Sequence, residues 1–249
     1  FAKNSVIDFK GFMTFLGGDD GEAPTLYLVH GSNHEQISTA ALENYMQGLT
    51  LAQIEAAVCW TYQQGGSDFL VLDIGSGSFV YDHTATKKTG RPIWHERQSG
   101  AIEWESFKTW RAKFSMNVFG KTLVGDRATD DLGEIGYSTY KEYTDNIRRG
   151  VVTQPFGTGD RVSLSELELV AEVGVGNTDA TNPAIAFSYR DDQKGAFSNP
   201  VNQDLGESGA YGTRLVWRRL GQFSRDRILR FYTDDPVKVA LIRLEAEVE

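Results

Sequence analysis

The residues that most often perform catalysis or bind metals are few in this 249-residue sequence. Its four histidines are His30, His34, His83 and His95. His30 and His34 are four residues apart, but Gly-Ser-Asn at 31–33 disfavours a helix that would present both to a metal. No histidine adjoins a serine or cysteine, and Gly-Ser-Gly at 75–77 lacks the flanks of a nucleophile elbow. The sequence therefore predicts no catalytic residue, no metal ligand and no cofactor-binding residue.

Cys59 is the only cysteine. A single thiol excludes an internal disulfide and a zinc site built from several cysteines. It lies in the apolar run 57–60, where a thiol is usually buried and unreactive. We therefore expect a structural cysteine rather than a nucleophile.

Acidic residues are plentiful but scattered. Four Asp-Asp pairs occur, at 19–20, 130–131, 191–192 and 234–235. Each pair falls at a predicted turn, where aspartate usually accepts hydrogen bonds from its own backbone. Asn177, Asp179 and Asn182 do not have the spacing of an EF-hand calcium loop, so we expect a solvated loop there. A glycosidase needs two carboxylates across a cleft, and the sequence alone leaves that arrangement open.

The overall charge is acidic, with 34 Asp and Glu against 25 Lys and Arg, a net charge of −9. Proteins that hold DNA of any sequence are usually basic. The charge therefore disfavours a protein that grips phosphates, but it is compatible with one that lets DNA slide past.

One stretch departs from this balance, with six arginines and a single acid between Arg214 and Arg230. The arginines are Arg214, Arg218, Arg219, Arg225, Arg227 and Arg230. One interpretation is an interface to an acidic partner or to DNA. The other is a set of outward positions on neighbouring strands, paired with acids such as Glu166 and Glu168. The sequence leaves both open.

The composition predicts a folded β protein. Hydrophobic residues make up 40% of the chain, with 14 Phe, 10 Tyr and 5 Trp, so a substantial core can form and dominant disorder is excluded. No apolar run approaches eighteen residues, so no membrane-spanning helix is expected. The chain begins with Phe1 and has no signal-peptide pattern, so we expect an internal or C-terminal piece of a longer protein.

Helical signals are confined to two short segments. The first is 39–47, with Ser38 as its predicted N-cap and Gly48 as its stop. The second is 50–58, where Thr50 and Gln53 have the spacing of a capping box. Most other segments have the composition of strands separated by Gly, Asp and Asn.

The first half contains an internal repeat, in segments 12–38, 60–82 and 114–137. Corresponding strands start near Thr25, Phe69 and Thr122, at spacings of roughly 44 and 53 residues, which matches one four-stranded propeller blade per period. Three passes are too few to close a ring, so we expect a missing N-terminal region to supply further blades. A generic antiparallel meander would give a similar rhythm.

The pattern changes after about Tyr143, where longer strands predict a compact β-sandwich. The parity of apolar residues shifts within 162–170, which predicts a β-bulge near Ser165 and Glu166. The last strand alternates cleanly, with Ala240 to Val248 apolar at every second position. We therefore predict a mainly β chain with few short helices, in which 1–143 form propeller-like blades and 144–249 a sandwich-like domain.

Several segments, taken in order, are similar to one protein family. They are LYLVHGS at 26–32, FLVLDIGSGSFVYD at 69–82, WHER at 94–97, VGD at 124–126, TRLVWRRLG at 213–221 and DPVKV at 235–239. Together they resemble the C-terminal half of the packaged-DNA stabilisation proteins, or tail hubs, of short-tailed phages.

This resemblance implies a structural role in the virion tail. It implies a homo-oligomeric ring, typically a hexamer, below the portal and its adaptor, through which DNA passes without sequence-specific binding. It also implies attachment of a tail needle or of fibre or spike proteins, and no catalytic residues or cofactors.

The alternative is a carbohydrate-binding or glycan-degrading tail protein. The segment 188–197 loosely resembles the Asp-box turn of sialidase propellers. A glycan-binding module would expose aromatic side chains such as Trp104 and Trp110 on one face, and an enzyme would bring two carboxylates together across a cleft.

Overall fold

A computed structural model describes residues 2–18, 23–99, 108–157, 159–191 and 195–248. The chain divides into two compact units, Phe1–Tyr137 and Ser138–Glu249. Both are built mainly from antiparallel strands, which confirms the predicted fold class. Within the described ranges, none of the helices has the length and apolar character needed to cross a membrane.

The described residues of the first unit form three separate antiparallel sheets. The first sheet has β1 (Ile7–Phe9), β2 (Phe12–Gly17), β3 (Thr25–His30) and β4 (Asn33–Gln36); the second has β5 (Val58–Gln64), β6 (Ser67–Ile74), β7 (Gly77–Asp82) and β8 (Trp94–Arg97); the third has β9 (Ala112–Val118), β10 (Lys121–Asp126) and β11 (Leu132–Glu134). In each sheet the spatial order follows the chain order. Such short meanders are the building blocks of a propeller.

The second sheet is covered on both faces. Leu70 and Leu72 of β6 are fully buried in a cluster shared with the first sheet. Val71, which points the other way, is fully buried in a cluster shared with the third. The continuous apolar run in β6 follows from this position, since a strand covered on both faces has no solvent-facing side.

Among the residues described, three α-helices lie between these strands: α1 (Ala40–Gln47), α2 (Leu51–Glu55) and α3 (His83–Thr89). α1 begins after Thr39 rather than Ser38 and ends at Gly48 as predicted. The capping box of Thr50 and Gln53 is present in α2. α2 ends before the predicted Val58, because Val58 already pairs with Asp73 in the second sheet.

α3 was not predicted. Its segment has no helical apolar periodicity, and its ends carry the only signals. The Asp82 carboxylate accepts a 2.8 Å hydrogen bond from the Ala85 main-chain nitrogen. Gly90 ends the helix with φ of 69°, a conformation that glycine adopts without steric cost.

The second unit is a β-sandwich. Its strands are β12 (Lys141–Glu142), β13 (Asp145–Asn146), β14 (Arg149–Val152), β15 (Val162–Ala171), β16 (Ala184–Asp191), β17 (Val201–Asp204), β18 (Leu215–Arg218), β19 (Gln222–Phe223), β20 (Arg227–Thr233) and β21 (Leu241–Val248). One sheet has the order β14-β20-β16-β17. In the other, β15 pairs with β18, β19 and β21, and β12 and β13 pair with each other.

The sandwich core lies between β15 and β18 on one sheet and β16 and β20 on the other. Leu167, Trp217, Phe187 and Phe231 are buried there in one cluster. The register of β15 against β21 shifts between Leu164 and Glu166, so the predicted bulge at Ser165 is confirmed. This bulge lets Leu164 and Leu167 point to the same core despite their odd spacing.

Candidate functional site

The first strands of the three sheets line a continuous groove in the first unit. A cavity of about 530 Å³ is bordered by β1, β5 and β9, together with the 3₁₀ turn at Lys3–Ser5. A second cavity of about 260 Å³ is lined by the same three strands. Asp8, Thr61 and Ser115 border both cavities, so the two form one groove along these three strands.

The charges in this groove are mixed. Its lysines are Lys3, Lys10 and Lys113, and its acids are Asp8 and Asp68. Lys10 Nζ lies 2.9 Å from Asp68 Oδ2, and Gln63 Nε2 donates to the same carboxylate at 2.7 Å. Burial raises the pKa of Asp68, but the hydrogen bonds from Lys10 and Gln63 outweigh it and lower the pKa below its usual value. The described side chains of the groove therefore do not form a cluster of cations that would bind phosphates.

A buried ionic cluster around Asp73 joins the second sheet to the third. Asp73 accepts hydrogen bonds from Trp60 Nε1 at 3.1 Å, from Arg127 Nη2 at 2.5 Å and from the Ser78 hydroxyl. Ser78 Oγ in turn accepts from the main-chain nitrogen of Trp110 at 3.0 Å. With these donors, the Asp73 carboxylate serves as a structural link.

Aromatic rings pack around this cluster. Trp60 stacks on Trp110 with a centroid separation of 5.4 Å, and the Arg97 guanidinium lies 4.9 Å from the Trp110 centroid. Trp110 is only 8% exposed. A glycan-binding face requires an exposed Trp110, so that prediction is wrong. Trp104 lies outside the described residues.

The single thiol is buried, as predicted. Cys59 is 3% exposed in the core shared by the first and second sheets. Burial, reinforced by the charge of Asp73, raises the pKa of this thiol far above its usual value. A thiol held protonated is a poor nucleophile and a poor metal ligand.

The histidines are dispersed over the first unit. His30 and His34 lie on the adjacent strands β3 and β4 rather than on a helix. Burial, with the nearby Arg97 guanidinium, lowers the pKa of His95 to about 4. Arg97 Nε donates to His95 Nε2 at 3.4 Å, which requires the neutral imidazole. Among the side chains that the structure describes, no three His, Cys, Asp or Glu residues are grouped so as to hold a metal.

The paired aspartates stabilise turns and strand ends. The Asp234 carboxylate accepts two hydrogen bonds from Arg148, at 2.7 and 2.6 Å, and Asp235 Oδ2 accepts from the Ala184 nitrogen at 2.7 Å. Asp131 shares the Thr129 hydroxyl with Asp126. Asp19, Asp20 and Asp192 lie outside the described residues.

A third-sheet carboxylate and the 177–182 loop have similar structural roles. Hydrogen bonds from Arg111 hold the pKa of Asp126 well below its usual value.

Asn177 Oδ1 accepts from the main-chain nitrogens of Asp179 and Ala180 at 2.9 and 2.8 Å. The Asn177 side chain therefore stabilises its own turn.

The basic stretch separates into residues with different environments. Arg214 pairs with Glu168, and Arg218 Nε lies 2.7 Å from Glu166 Oε2, across the paired strands β18 and β15. The interpretation as outward, paired positions is confirmed for these two arginines. Arg219 and Arg225 are exposed.

Arg227, by contrast, is a core residue. It is 1% exposed and donates to both carboxylate oxygens of Asp191, at 2.6 and 2.8 Å. Its guanidinium carbon lies 4.2 Å from the Tyr189 ring centroid and 4.6 Å from that of Phe223. The six arginines therefore do not form one continuous basic surface.

Comparison with known proteins gives a match over both units. The family model described as bacteriophage P22 Gp10, beta-propeller, matches residues 1–140, and that described as bacteriophage P22 Gp10, beta-sandwich, matches residues 151–249. The tail hub protein gp10 of Salmonella phage P22 is 22% identical over 247 residues, covering 95% of this chain and 49% of the relative. The chain thus spans about half the length of that relative.

The similar solved structures include an exo-beta-1,3-galactanase from Phanerochaete chrysosporium with bound galactose. It is 11% identical, with a TM-score of 0.26, and the match covers 95% of this chain and 67% of that one. The same enzyme with beta-1,3-galactotriose is 9% identical, with a TM-score of 0.25, and the match covers 97% and 67%. Similarity at this level carries no argument about function.

Proposed function

The chain belongs to the bacteriophage P22 Gp10 family, and from that premise we propose that it is part of a structural tail hub in the virion of a short-tailed phage. The observation that carries the proposal is the order of the matches, a propeller followed by a sandwich across most of the chain. The relative from Salmonella phage P22 is named a tail hub protein, which supports the same role here.

In this proposal, copies of the protein form a ring, six in number, below the portal and its adaptor. The ring continues the DNA channel and helps to retain the packaged genome. The net charge of −9 and the mixed charges of the groove support a channel wall that DNA can slide past. Among its described residues, the groove has no cluster of cations that would bind the DNA phosphates tightly.

We propose that the 1–143 region supplies some of the blades of a propeller that further chain of the longer protein completes. The second sheet is buried on both faces, whereas the third sheet exposes Phe114, Met116 and Leu132. Apolar side chains on a blade face are normally covered by the next blade. The 144–249 sandwich would then be available for contacts with the tail needle or with fibre and spike proteins.

A non-enzymatic role fits the environment of the acids that bind arginine. Asp73, Asp126 and Asp191 each bind an arginine side chain. Arg111 holds the pKa of Asp126 well below its usual value, so this carboxylate is unsuited to act as a general acid.

The direct test is electron microscopy of the full-length protein mixed with its portal–adaptor complex. A ring on the adaptor, with an axial channel continuous with that of the portal, is the expected result. Particles that stay single in this mixture, and that bind sugars on a glycan array, would overturn the proposal in favour of the carbohydrate-binding alternative.

Blade completion has its own test. Met116→Asp places a charge on the exposed face of the third sheet, and we expect it to destabilise the full-length protein more than the 249-residue chain. Leu51→Asp, at an exposed apolar position of α2 away from the third sheet, is the matched control. Equal effects of Met116→Asp in both proteins would show that no further blade covers this face.

A further inference from the structure

The outer face of the sheet β14-β20-β16-β17 carries several arginines. Phe187 and Phe231 lie opposite each other and are buried in the sandwich core. Side chains alternate between the two faces of a strand, so the adjoining pair of Ser188 and Arg230 points to the outer face. Arg190, two residues beyond Ser188, points to the same face.

Guanidinium groups and aromatic rings alternate on this face. The guanidinium carbon of Arg230 lies 3.9 Å from the Phe197 ring centroid and 5.6 Å from that of Tyr232. Arg190 lies 4.8 Å from the Phe197 centroid, and Arg148 lies 4.5 Å from the Tyr232 centroid. These contacts link five residues in the order Arg148, Tyr232, Arg230, Phe197 and Arg190, which we call the arginine row.

Hydrogen bonds hold the centre of the arginine row in place. The Ser198 main-chain nitrogen donates to the Tyr189 carbonyl at 2.7 Å, which fixes the segment that carries Phe197 beside β16. Arg230 Nε donates to the Ser188 hydroxyl at 2.9 Å. Side chains that are already ordered lose less conformational entropy when a partner binds.

The charge of the arginine row is only partly compensated. Arg148 is bound by Asp234 through two hydrogen bonds. Among the described residues, Arg190 has no carboxylate partner: Nη1 lies 3.5 Å from the Gly195 carbonyl oxygen, and Nε is buried without an acceptor. A guanidinium with donors to spare is suited to a carboxylate or phosphate, whose oxygens match its planar fork.

We propose that the arginine row binds an acidic segment of another protein in an extended conformation. Arg190 and Arg230 are diagonal neighbours on paired strands, with a separation of about 7–8 Å. Side chains two residues apart on an extended segment project from one face and are about 6.6 Å apart. Two such carboxylates can therefore bind Arg190 and Arg230 at the same time.

Two observations favour a protein partner over nucleic acid. A binding platform for single-stranded DNA presents ring faces on which bases stack. Phe197 and Tyr232 are instead each in contact with two guanidinium groups of the same chain. The net charge of −9 also repels a long polyanion more than it repels a short acidic segment.

The arginine row is distinct from the basic stretch in the sequence, since Arg230 is the only member of that stretch that belongs to it. Arg148 and Arg190 come from distant segments of the chain. The proposal does not depend on the ring, because one face of the sandwich can bind a partner in a single copy or in any assembly. The failure of either proposal would therefore leave the other standing.

Fluorescence anisotropy of a labelled poly-glutamate peptide with the 249-residue chain tests the proposal. We expect saturable binding that the double variant Arg190→Gln, Arg230→Gln weakens about tenfold, because each substitution removes a charge-assisted hydrogen bond. The matched control is Arg219→Gln, Arg225→Gln, which removes the same charge from exposed positions outside the row. No binding by the wild type, or equal losses in the two double variants, would overturn the proposal.

A variant that keeps the charge separates the arginine row from general electrostatic attraction. Phe197→Leu removes the ring between Arg190 and Arg230, and we expect about threefold weaker peptide binding because the two guanidiniums lose their support. Tyr211→Leu, at a ring that is 78% exposed outside the row, is the matched control and should bind as the wild type does. Unchanged binding by Phe197→Leu would overturn the role of the row. Circular dichroism confirms that each variant is folded.

Oligothymidylate is the probe for the nucleic-acid alternative. We expect it to bind more weakly than poly-glutamate at the same ionic strength, with no dependence on Arg190 and Arg230. Binding as tight as that of poly-glutamate, weakened by the same arginine substitutions, would overturn the assignment of a protein partner.

Discussion

Two strands of eight residues, β6 in the first unit and β21 in the second, have opposite environments. β6 lies between β5 and β7 and is covered on both faces, so Leu70 to Ile74 are all buried. β21 pairs only with β15 in the part of the chain that the structure describes, and all of its residues are exposed. The difference shows that burial is set by the neighbours of a strand, not by its length or its propensity.

The acidic residues of the two strands differ in the same way. Asp73 at the end of β6 is 7% exposed and is bound by Trp60, Ser78 and Arg127. Glu245 in β21 is about half exposed and lies 2.5 Å from Arg243 Nε. A buried ion pair is costly to break because its partner stays desolvated, whereas an exposed pair is screened by water.

The largest effect is expected from the buried acid. Asp73→Ala leaves Arg127, Trp60 and Ser78 without their acceptor, and we expect it to lower the free energy of unfolding by about 3–5 kcal/mol. The matched control Glu245→Ala should cost less than about 1 kcal/mol. Urea unfolding followed by tryptophan fluorescence measures both. Similar costs for the two variants would show that Asp73 does not hold the second and third sheets together.

The next largest effect concerns apolar burial. Leu72→Ala removes a fully buried side chain, and we expect a loss of about 2–5 kcal/mol because a cavity remains. Leu244→Ala removes a partly exposed one and should cost less than about 1 kcal/mol in the monomer. Denaturant midpoints at low protein concentration give both values. A cost for Leu244→Ala as large as that for Leu72→Ala would mean that other parts of the chain cover Leu244.

The third prediction concerns the pH dependence of stability that His95 causes in the second sheet. His95 lies opposite Val80 of β7, which is buried against the third sheet. Its pKa is about 4 in the folded protein, below the ordinary value of 6.5, so the unfolded chain binds the proton first. Neutral His95 therefore makes its full contribution to the free energy of unfolding above about pH 6.5. This contribution, up to about 3 kcal/mol, is lost as the pH falls toward 4.

Thermal or urea unfolding between pH 7 and pH 4 measures this loss. His95→Gln should flatten the pH dependence, since glutamine takes up no proton in this range. His30→Gln, at an exposed position of β3, is the matched control and should leave the dependence as in the wild type. An unchanged dependence in His95→Gln would contradict the assignment.

Local signals predicted several elements well. The capping box of Thr50 and Gln53 and the bulge at Ser165 were predicted because each depends on a few neighbouring residues. α3 was missed because its segment lacks an apolar stripe, and only Asp82 and Gly90 mark its ends. The Asp73 cluster was also missed, because no local pattern links Asp73 to Arg127, which is 54 residues away.

The sequence by itself determined the β character of the chain, the rhythm of three meanders, the change to longer strands and the resemblance to phage tail hubs. These features depend on composition, on periodicity and on the order of motifs, which can all be obtained from the sequence without the fold.

Only the tertiary structure decided which faces are covered. It placed Arg227 in the core and Arg218 on the surface, although both belong to one basic stretch. It also left the apolar row of β21 exposed while it buried β6 on both sides. The physical reason is that burial depends on what lies against a side chain in space, and those neighbours come from distant segments.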